Sequence, residues 1–191
     1  MYEAKNYDQL LGLPGFSDLA LKTHFALYQG YVANANKFLD ILAKDGTDSL
    51  DFAGFKRRFG WEFNGMRLHE YYFSSLSKNP INFADNSLLL AKINEDFGSL
   101  ENWEKDFKAT AMMRGIGWTI LYYDQLNGRL LNVWVGEHDT GHLAGATPLL
   151  PLDVFEHAFL IDYGTKRADY IEAFMKAVDW KVVEERFARA K

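Results

Sequence analysis

A chain of 191 residues is long enough to bury a core, and it has the length of one domain or two small lobes. With 48% hydrophobic residues, 25% charged residues and a net charge of −5, it has a globular composition but not the basic surface that nucleic acid or an anionic membrane would attract. The chain has no cysteine, which excludes disulfides, thiolate nucleophiles and cysteine-ligated metals. It also has no run of about 18 apolar residues, and we expect a cytoplasmic protein without a nucleic-acid or membrane partner.

The first predicted element is a long amphipathic helix from Leu19 to about Leu42, which follows a loop-like lead over residues 1–17. Apolar residues recur in it at intervals of three and four. His24 and Tyr31 lie seven residues apart, which is close to two helical turns. The two side chains are therefore expected to point nearly the same way.

A second long helix is predicted from Trp61 to Leu76, with His69 near its middle. It follows a polar break at residues 44–49 and a short helix from Leu50 to about Phe59. Two long helices with a modest connection favour an antiparallel hairpin. Such a hairpin would place His24 opposite His69.

Beyond Pro80 the pattern changes to shorter elements. Helices are predicted over residues 88–97 and 100–113. Aromatic and branched residues then predict strands over 118–123 and 130–135, joined by a turn near Asn127 and Gly128.

The last part of the chain is predicted to contain a loop over residues 136–151, a short strand at Leu152 to Val154 and closing helices over 167–188. The whole pattern predicts an α+β fold, with a long N-terminal α-hairpin followed by helices packed on a small antiparallel sheet of about three strands. We expect a helical domain over residues 1–80 and an α/β domain over residues 81–191.

Asp153 and His157 are the first candidate metal ligands. On a helix or helix-like turn, residues four apart project from one face toward a common point. A carboxylate suits a hard first-row metal, and a neutral imidazole suits iron, manganese or zinc. The alternative is an aspartate that caps a helix, followed by a surface histidine.

Four segments resemble the iron/manganese superoxide dismutase family. Asp153-Val154-Phe155-Glu156-His157-Ala158-Phe159 is similar to that family's Asp-Val-Trp-Glu-His-Ala-Tyr signature, and His69-Glu70-Tyr71-Tyr72-Phe73 is similar to its second ligand segment. Gly115-Ile116-Gly117-Trp118 and Thr147-Pro148-Leu149-Leu150 match two more motifs in the right order. The resemblance extends from about residue 19 to the C-terminus and implies the same α+β fold.

The resemblance implies a metal site with four ligands and one iron or manganese ion per subunit. The family's three histidines and one aspartate correspond to His24, His69, Asp153 and His157. Without the resemblance, His24 on an apolar helix face would be interpreted as a core histidine. The sequence does not choose between the two metals, because the choice depends on hydrogen-bond geometry around the metal's solvent ligand.

The resemblance also implies three further site residues. Tyr31 would guard the entrance and relay protons, and Arg167 would attract the superoxide anion. The family's solvent ligand is held by a glutamine from one of two positions, which here correspond to Gly65 and His138. We expect His138 to donate to that solvent, the alternative being a solvated loop histidine, which is the expectation for His142.

The helix-one spacing and the apolar shell depart from the family pattern. The family usually has a spacing of eight residues, not seven, between its first histidine and the tyrosine. We interpret the extra residue as a local bulge in the family's helix that this chain has lost, so that His24 and Tyr31 can still face the metal. Phe73 and Phe155 replace two tryptophans, which we interpret as a repacked core around the metal, without two indole donors.

A third departure removes a hydrogen bond between subunits. The family's histidine and tyrosine that pair across its dimer correspond to Leu27 or Tyr28 and to Leu160. Loss of both partners leaves no buried polar group unpaired. Glu156 remains, and by resemblance it would reach the partner's His157 across a two-fold axis, which implies a homodimer and is also compatible with a tetramer.

The implied activity is that of an antioxidant enzyme, which disproportionates superoxide to dioxygen and hydrogen peroxide at a mononuclear iron or manganese site. Two alternatives remain open because a fold does not determine a function. One is a catalytically impaired metal-binding or interaction protein. The other is a different mononuclear metalloenzyme, such as a non-haem iron oxygenase or a metal hydrolase.

Overall fold

The computed structural model describes residues 1–44 and 47–191, so the predicted polar break at residues 44–49 lies partly outside the described residues. A 3-10 turn at Asp8–Leu10 precedes the main elements. In chain order these are α1 Asp18–Lys44, α2 Phe52–Ser74, α3 Leu88–Phe97, α4 Leu100–Ala111, β1 Gly117–Asp124, β2 Arg129–Gly136, β3 Ala146–Asp153, α5 Glu156–Tyr163, α6 Arg167–Ala177 and α7 Trp180–Ala190. None of the helices in these two ranges is both long and apolar enough to span a membrane.

The helices α1 and α2 form the predicted antiparallel hairpin. Residues further along α1 contact residues further back along α2, in the pairs His24 with His69, Asn34 with Glu62, and Phe38 with Phe55. Because α2 is continuous from Phe52, the separate short helix predicted up to Phe59 is wrong. Gly60 costs a helix about 1 kcal/mol relative to alanine, which the packing of a 23-residue helix can offset.

The three strands form one antiparallel sheet in the order β2-β1-β3. The turn between β1 and β2 is closed by Asp124 opposite Arg129, around the predicted Asn127 and Gly128. β3 begins at Ala146, six residues before the predicted start at Leu152. The sequence did not predict this extension because β3 contains Pro148 and Pro151, and proline argues against a strand. β3 is an edge strand, which tolerates proline.

The α+β class is confirmed by these elements. The central strand β1 is buried along nearly its whole length, and it carries Trp118, Ile120 and Leu121 into the core. α2 packs on β3, and α1 packs on α5, so the hairpin meets the C-terminal elements at the end of β3. The division into domains at residue 80 stays a prediction.

Candidate metal centre

Four elements each bring one potential ligand to the same point. His24 comes from α1 and His69 from α2, while Asp153 is the last residue of β3 and His157 lies in the first turn of α5. One donor atom from each lies within 4.8 Å of the other three donor atoms. The structure therefore brings together all four residues that the sequence assigned to the metal.

The three imidazoles converge on a single carboxylate oxygen. The Nε2 atoms of the histidines lie near Asp153 Oδ2, at 3.1 Å for His24, 3.5 Å for His69 and 3.2 Å for His157. Asp153 and His69 are fully buried, and His24 is nearly so. Four inward-facing donors of one anionic and three neutral groups are a set that suits a hard first-row ion.

His69 gives the clearest indication that the site fits a metal. Its Nδ1–H donates to the carbonyl oxygen of Gly65 at 2.5 Å, which leaves Nε2 with a lone pair. That Nε2 is buried without a hydrogen-bond partner among residues 1–44 and 47–191. A backbone carbonyl that fixes the tautomer in this way is the usual arrangement behind a histidine ligand.

Asp153 lies on a turn between strand and helix rather than on α5. Its Oδ1 accepts from the backbone N–H of Phe155 at 2.9 Å, and its carbonyl oxygen accepts from the Tyr170 hydroxyl at 2.8 Å. The residue at the cap position of α5 is Phe155, which makes no side-chain cap. The alternative of an aspartate that caps the helix is therefore wrong, and Oδ2 is left to face the histidines.

The charges of this cluster are strongly coupled. Burial opposes ionisation of Asp153, but the neighbouring imidazoles of His157 and His24 outweigh it and hold the pKa of Asp153 well below its usual value. Burial lowers the pKa of His24 and lowers that of His69 further. Burial also acts on His157, but the Asp153 carboxylate raises the pKa of that imidazole. The cluster is thus an ionised carboxylate with at least two imidazoles that favour the neutral form.

His138 and Tyr31 form a hydrogen-bonded pair beside this cluster. The Trp118 indole donates to His138 Nδ1 at 3.0 Å, so the ring hydrogen is on Nε2, which lies 2.9 Å from the Tyr31 hydroxyl oxygen. His138 is fully buried, and the alternative of a solvated loop histidine is wrong. Burial lowers the pKa of His138 to about 4, so the ring is neutral at pH 7. A hydrogen bond from His138 to a metal-bound solvent molecule stays a prediction.

The seven-residue spacing keeps His24 and Tyr31 on one face of α1. The helix is continuous from Asp18 to Lys44, and the Tyr31 ring lies 5.1 Å from the His69 ring. Tyr31 also packs directly over Gly65, where an added Cβ would meet the Tyr31 ring at 2.8 Å. A residue with a side chain at position 65 would therefore displace the tyrosine.

Aromatic rings fill the rest of the surroundings. The Phe155 ring is stacked between His138 and His157, with centroid distances of 4.7 and 5.1 Å. Phe73 packs edge-on against His24 at 4.9 Å. The two phenylalanines place apolar rings against the ligand histidines, as expected for a repacked core.

Arg167 lies at the border of the C-terminal elements. Its Nη1 donates to the carbonyl oxygen of Gly115 at 3.0 Å, and its guanidinium faces the rings of Trp134 and Phe159. Nε and Nη2 are buried without a partner within the described part of the chain. Burial lowers the pKa of Arg167, although the group stays a cation at pH 7. The structure shows a cation with spare donors, and its role toward an anion stays a prediction.

The structure adds contacts from residues that no sequence pattern assigns to the site. Trp118 was identified only as part of a fold motif, yet its indole fixes the His138 tautomer. His142 was expected to be solvated, which is wrong, because its Nε2 donates to the His138 carbonyl oxygen and its Nδ1 lies 2.6 Å from the Tyr122 hydroxyl. Trp61 packs against His138 with a centroid distance of 4.4 Å. No local pattern indicated Trp61, because its neighbour is 77 residues away in the chain.

The fold and the site define a class: metalloproteins that hold one ion with three imidazoles and one carboxylate between a helical hairpin and an α/β part. Comparison with known proteins narrows the class. Residues 85–186 match the family model of the C-terminal domain of iron/manganese superoxide dismutases. An iron superoxide dismutase of Cupriavidus metallidurans is 39% identical, over 93% of this chain and 91% of that protein.

Two further relatives differ in the metal that their names give. The iron superoxide dismutase of Aquifex pyrophilus is 35% identical, over 98% of this chain and 92% of that protein. The manganese superoxide dismutase of Haloarcula marismortui is 36% identical, over 97% of this chain and 91% of that protein. The chain belongs to the iron/manganese superoxide dismutase family.

Proposed function

We propose that this protein is a superoxide dismutase that holds one iron or manganese ion with His24, His69, Asp153 and His157. The observation that carries the proposal is the convergence of three imidazole nitrogens on one buried carboxylate oxygen, in a chain of this family. The ligand set combines one negative charge with three neutral donors, which suits both the divalent and the trivalent state of a hard first-row ion. Relatives named for either metal leave both choices open.

The bound ion would supply one-electron chemistry, oxidising one superoxide to dioxygen and reducing the next to peroxide. The chain's own residues then have to deliver protons and exclude competing reactions. The apolar rings of Phe73 and Phe155 limit water around the ligands, which strengthens the electrostatic interactions inside the site.

Tyr31 and His138 have complementary roles in delivering protons. Because the His138 Nε2–H donates to the Tyr31 oxygen, the hydroxyl hydrogen of Tyr31 is free to be donated elsewhere. Burial raises the pKa of Tyr31, so the phenol keeps its proton in the working pH range. The pair therefore holds a donor proton beside His69.

Arg167 is proposed to draw the superoxide anion toward the site. The protein as a whole has a net charge of −5 and would repel an anion. A local cation with donors that have no partner in residues 1–44 and 47–191 would offset that repulsion at short range.

Paired aspartate variants test the function. Asp153→Ala should lose the metal and the dismutase activity together, because three imidazoles without a carboxylate hold the ion far more weakly. Asp139→Ala, an exposed loop carboxylate, should leave both unchanged. Metal content and superoxide consumption are measured on protein produced with iron alone and with manganese alone.

The two alternative functions give different outcomes in the same experiment. Wild-type protein that binds about one ion per chain without consuming superoxide would be a catalytically impaired metal-binding protein. A turnover that requires an organic cosubstrate would indicate another metalloenzyme. Activity with only one of the two metals would identify the working cofactor.

A homodimer and a cytoplasmic location are also proposed. Glu156 is exposed at the start of α5, where it is free to approach the partner's His157. Leu27 on α1 and Leu160 on α5 also support the dimer. Both are large apolar side chains that are exposed on helices packed against each other, so a second subunit could cover them together. Cell fractionation tests the location, and sedimentation tests the assembly.

A further inference from the structure

The loop between β2 and β3 has a strained backbone at the residue just before His138. Glu137, the residue just before His138, has a φ of 52°, and no other non-glycine residue in the described ranges has a positive φ. This left-handed conformation is unfavourable for residues other than glycine, and it persists only where surrounding contacts hold it. The direction in which the chain presents His138 therefore depends on what holds Glu137.

A contact from the opposite side of the site holds that residue. The Trp61 indole N–H, from α2, donates to Glu137 Oε2 at 3.0 Å. The same indole packs edge-on against the His138 ring with a centroid distance of 4.4 Å. Trp61 thus contacts both the strained residue and the imidazole that follows it.

Trp61 is itself held in place on α2. The Arg58 guanidinium lies 3.9 Å above the indole ring, and its Nε donates to the buried Glu62 carboxylate at 2.7 Å. Glu62 also accepts from the Asn34 amide on α1 at 3.2 Å. The indole therefore packs against a side chain that is itself hydrogen-bonded to the hairpin.

Apart from the pairing of His138 with Tyr31 itself, the remaining hydrogen bonds of the loop come from its own side of the fold. Trp118 donates to the His138 ring, His142 donates to the His138 carbonyl oxygen, and Gly136 and Thr140 exchange two backbone hydrogen bonds. These contacts anchor the loop to the sheet. They do not set the distance between the loop and the hairpin that carries Tyr31.

We propose that Trp61 and Glu137 are positioning residues that form a latch between α2 and the loop, and that this latch holds the His138 imidazole against the Tyr31 hydroxyl. Without the latch, the left-handed backbone at Glu137 relaxes and His138 withdraws from Tyr31. The inference rests on the proposed function, because it assigns residues that set the geometry of its proton-donating pair.

The test is a double-mutant cycle on the metal-loaded protein with two readouts, amide hydrogen exchange over residues 136–142 and the reduction potential of the bound metal. Trp61→Phe keeps the ring but removes the indole donor, and Glu137→Ala removes the acceptor. Each single variant should raise loop exchange severalfold and shift the potential in the same direction as His138→Ala, by a smaller amount. The double variant should do little more than the larger single variant, because both changes break one contact.

Two further variants at position 137 separate the latch from the backbone strain. Glu137→Gln keeps an oxygen acceptor for the indole and should restore wild-type exchange and potential. Glu137→Gly removes the strain together with the acceptor, and it should behave like Glu137→Ala if the latch is what positions His138. If Glu137→Gly had the loop exchange and the reduction potential of the wild type, the proposal would be overturned, because the left-handed backbone alone would then suffice to position His138.

Additive effects of the two single variants, or an unchanged potential with lower thermal stability, would also overturn it, because either result indicates a merely structural contact. Failure of the proposed function is distinguishable from these results. It would appear as wild-type protein without superoxide consumption, while exchange and potential still reported coupling between Trp61 and Glu137 in support of the latch.

Discussion

At the scale of single residues, the environment rather than the residue type decides what each histidine does. His69 and His138 are both fully buried, yet they face different tasks. A backbone carbonyl takes the Nδ1–H of His69 and leaves Nε2 with a lone pair for the proposed metal, whereas an indole occupies Nδ1 of His138 and leaves Nε2–H as a hydrogen donor. The neighbour of one ring nitrogen determines the chemistry of the other.

The depressed pKa of His138 predicts a specific pH dependence of stability. Its pKa is about 4 in the folded protein and near 6.5 when unfolded. Above pH 6.5 both states are neutral, and as the pH falls toward 4 only the unfolded state takes up the proton, so stability is lost. The loss is roughly 3 kcal/mol for a shift of this size.

His138→Gln should remove that part of the acid sensitivity. Urea unfolding of wild type and variant, measured from pH 7.5 to pH 4, gives two curves whose separation changes by roughly 3 kcal/mol in favour of the variant. The difference between the curves cancels the contributions of the other histidines. Parallel curves would show that His138 does not titrate in this range.

At the scale of elements, α2 has to approach α1 closely at one point and not at others. An added Cβ at Gly65 would meet the Tyr31 ring at 2.8 Å, while one at Gly60 meets nothing within 4 Å. Gly65→Ala should destabilise the protein by about 1–3 kcal/mol and move Tyr31 away from His138. Gly60→Ala, in the same helix, should stabilise it by up to about 1 kcal/mol.

Urea unfolding of the two alanine variants measures this difference. A lowered activity of Gly65→Ala with unchanged metal content would locate the damage at Tyr31 rather than at the ligands. Equal stabilities of the two variants would show that the helices separate enough to accept a methyl group at position 65.

The elements that the sequence predicted well are those whose hydrophobic pattern is local. The bounds of α3 at Leu88 and Phe97 agree with the prediction, and α4 begins at Leu100 as predicted. The errors occur where tertiary packing overrides local signals. Gly60 did not interrupt α2, and Pro148 did not prevent β3 from beginning at Ala146.

The candidate site divides in the same way. The spacing of Asp153 and His157, together with the family resemblance for His24 and His69, was enough to select the four residues whose donor atoms lie within 4.8 Å of one another. The positions of Trp61 and Glu137 could not be predicted, because their contact joins residues 76 apart in the chain. It also depends on the positive φ of Glu137, which the residue types around it do not indicate. Long-range contacts of exposed side chains leave no periodic pattern in a sequence.

At the scale of the whole molecule, the four proposed ligands tie the hairpin to the C-terminal elements. Because α1, α2, β3 and α5 each supply one ligand, a bound ion would stabilise the folded state over any state in which these elements separate. At a free-ion concentration 1,000-fold above the dissociation constant, the gain is about 4 kcal/mol. For a chain of this length, that corresponds to roughly 10 °C in the thermal midpoint.

Removal of the metal by a chelator should therefore lower the thermal midpoint by roughly 10 °C. Calorimetry of the treated protein measures the loss, and addition of iron or manganese should restore the midpoint. Magnesium is the matched control, because it prefers an all-oxygen shell and should not restore it. A midpoint that chelation leaves unchanged would contradict the proposed ligand set.

The proposed dimer explains why apolar side chains remain exposed on α1 and α5. Leu27 and Leu160 are 37% and 49% exposed, whereas Tyr28 is fully buried and donates to Glu70. Of the two α1 residues that could replace the family's interface histidine, Leu27 is therefore the one on the surface. At this position an apolar contact would replace the family's hydrogen bond between subunits, and no polar group would be left unpaired.

Leu160→Lys should weaken this dimer, because the lysine would bury a charge in an apolar contact or hold the subunits apart. Leu126→Lys is the matched control, since Leu126 is 88% exposed on the turn between β1 and β2. Sedimentation velocity over a range of protein concentrations should show a shift toward monomer for Leu160→Lys and the wild-type distribution for Leu126→Lys. Metal content is measured in both variants, because separation of the subunits would also remove the proposed contact of Glu156 with the partner's His157. A monomeric wild type, or equal behaviour of the two variants, would place the subunit contact elsewhere or remove it.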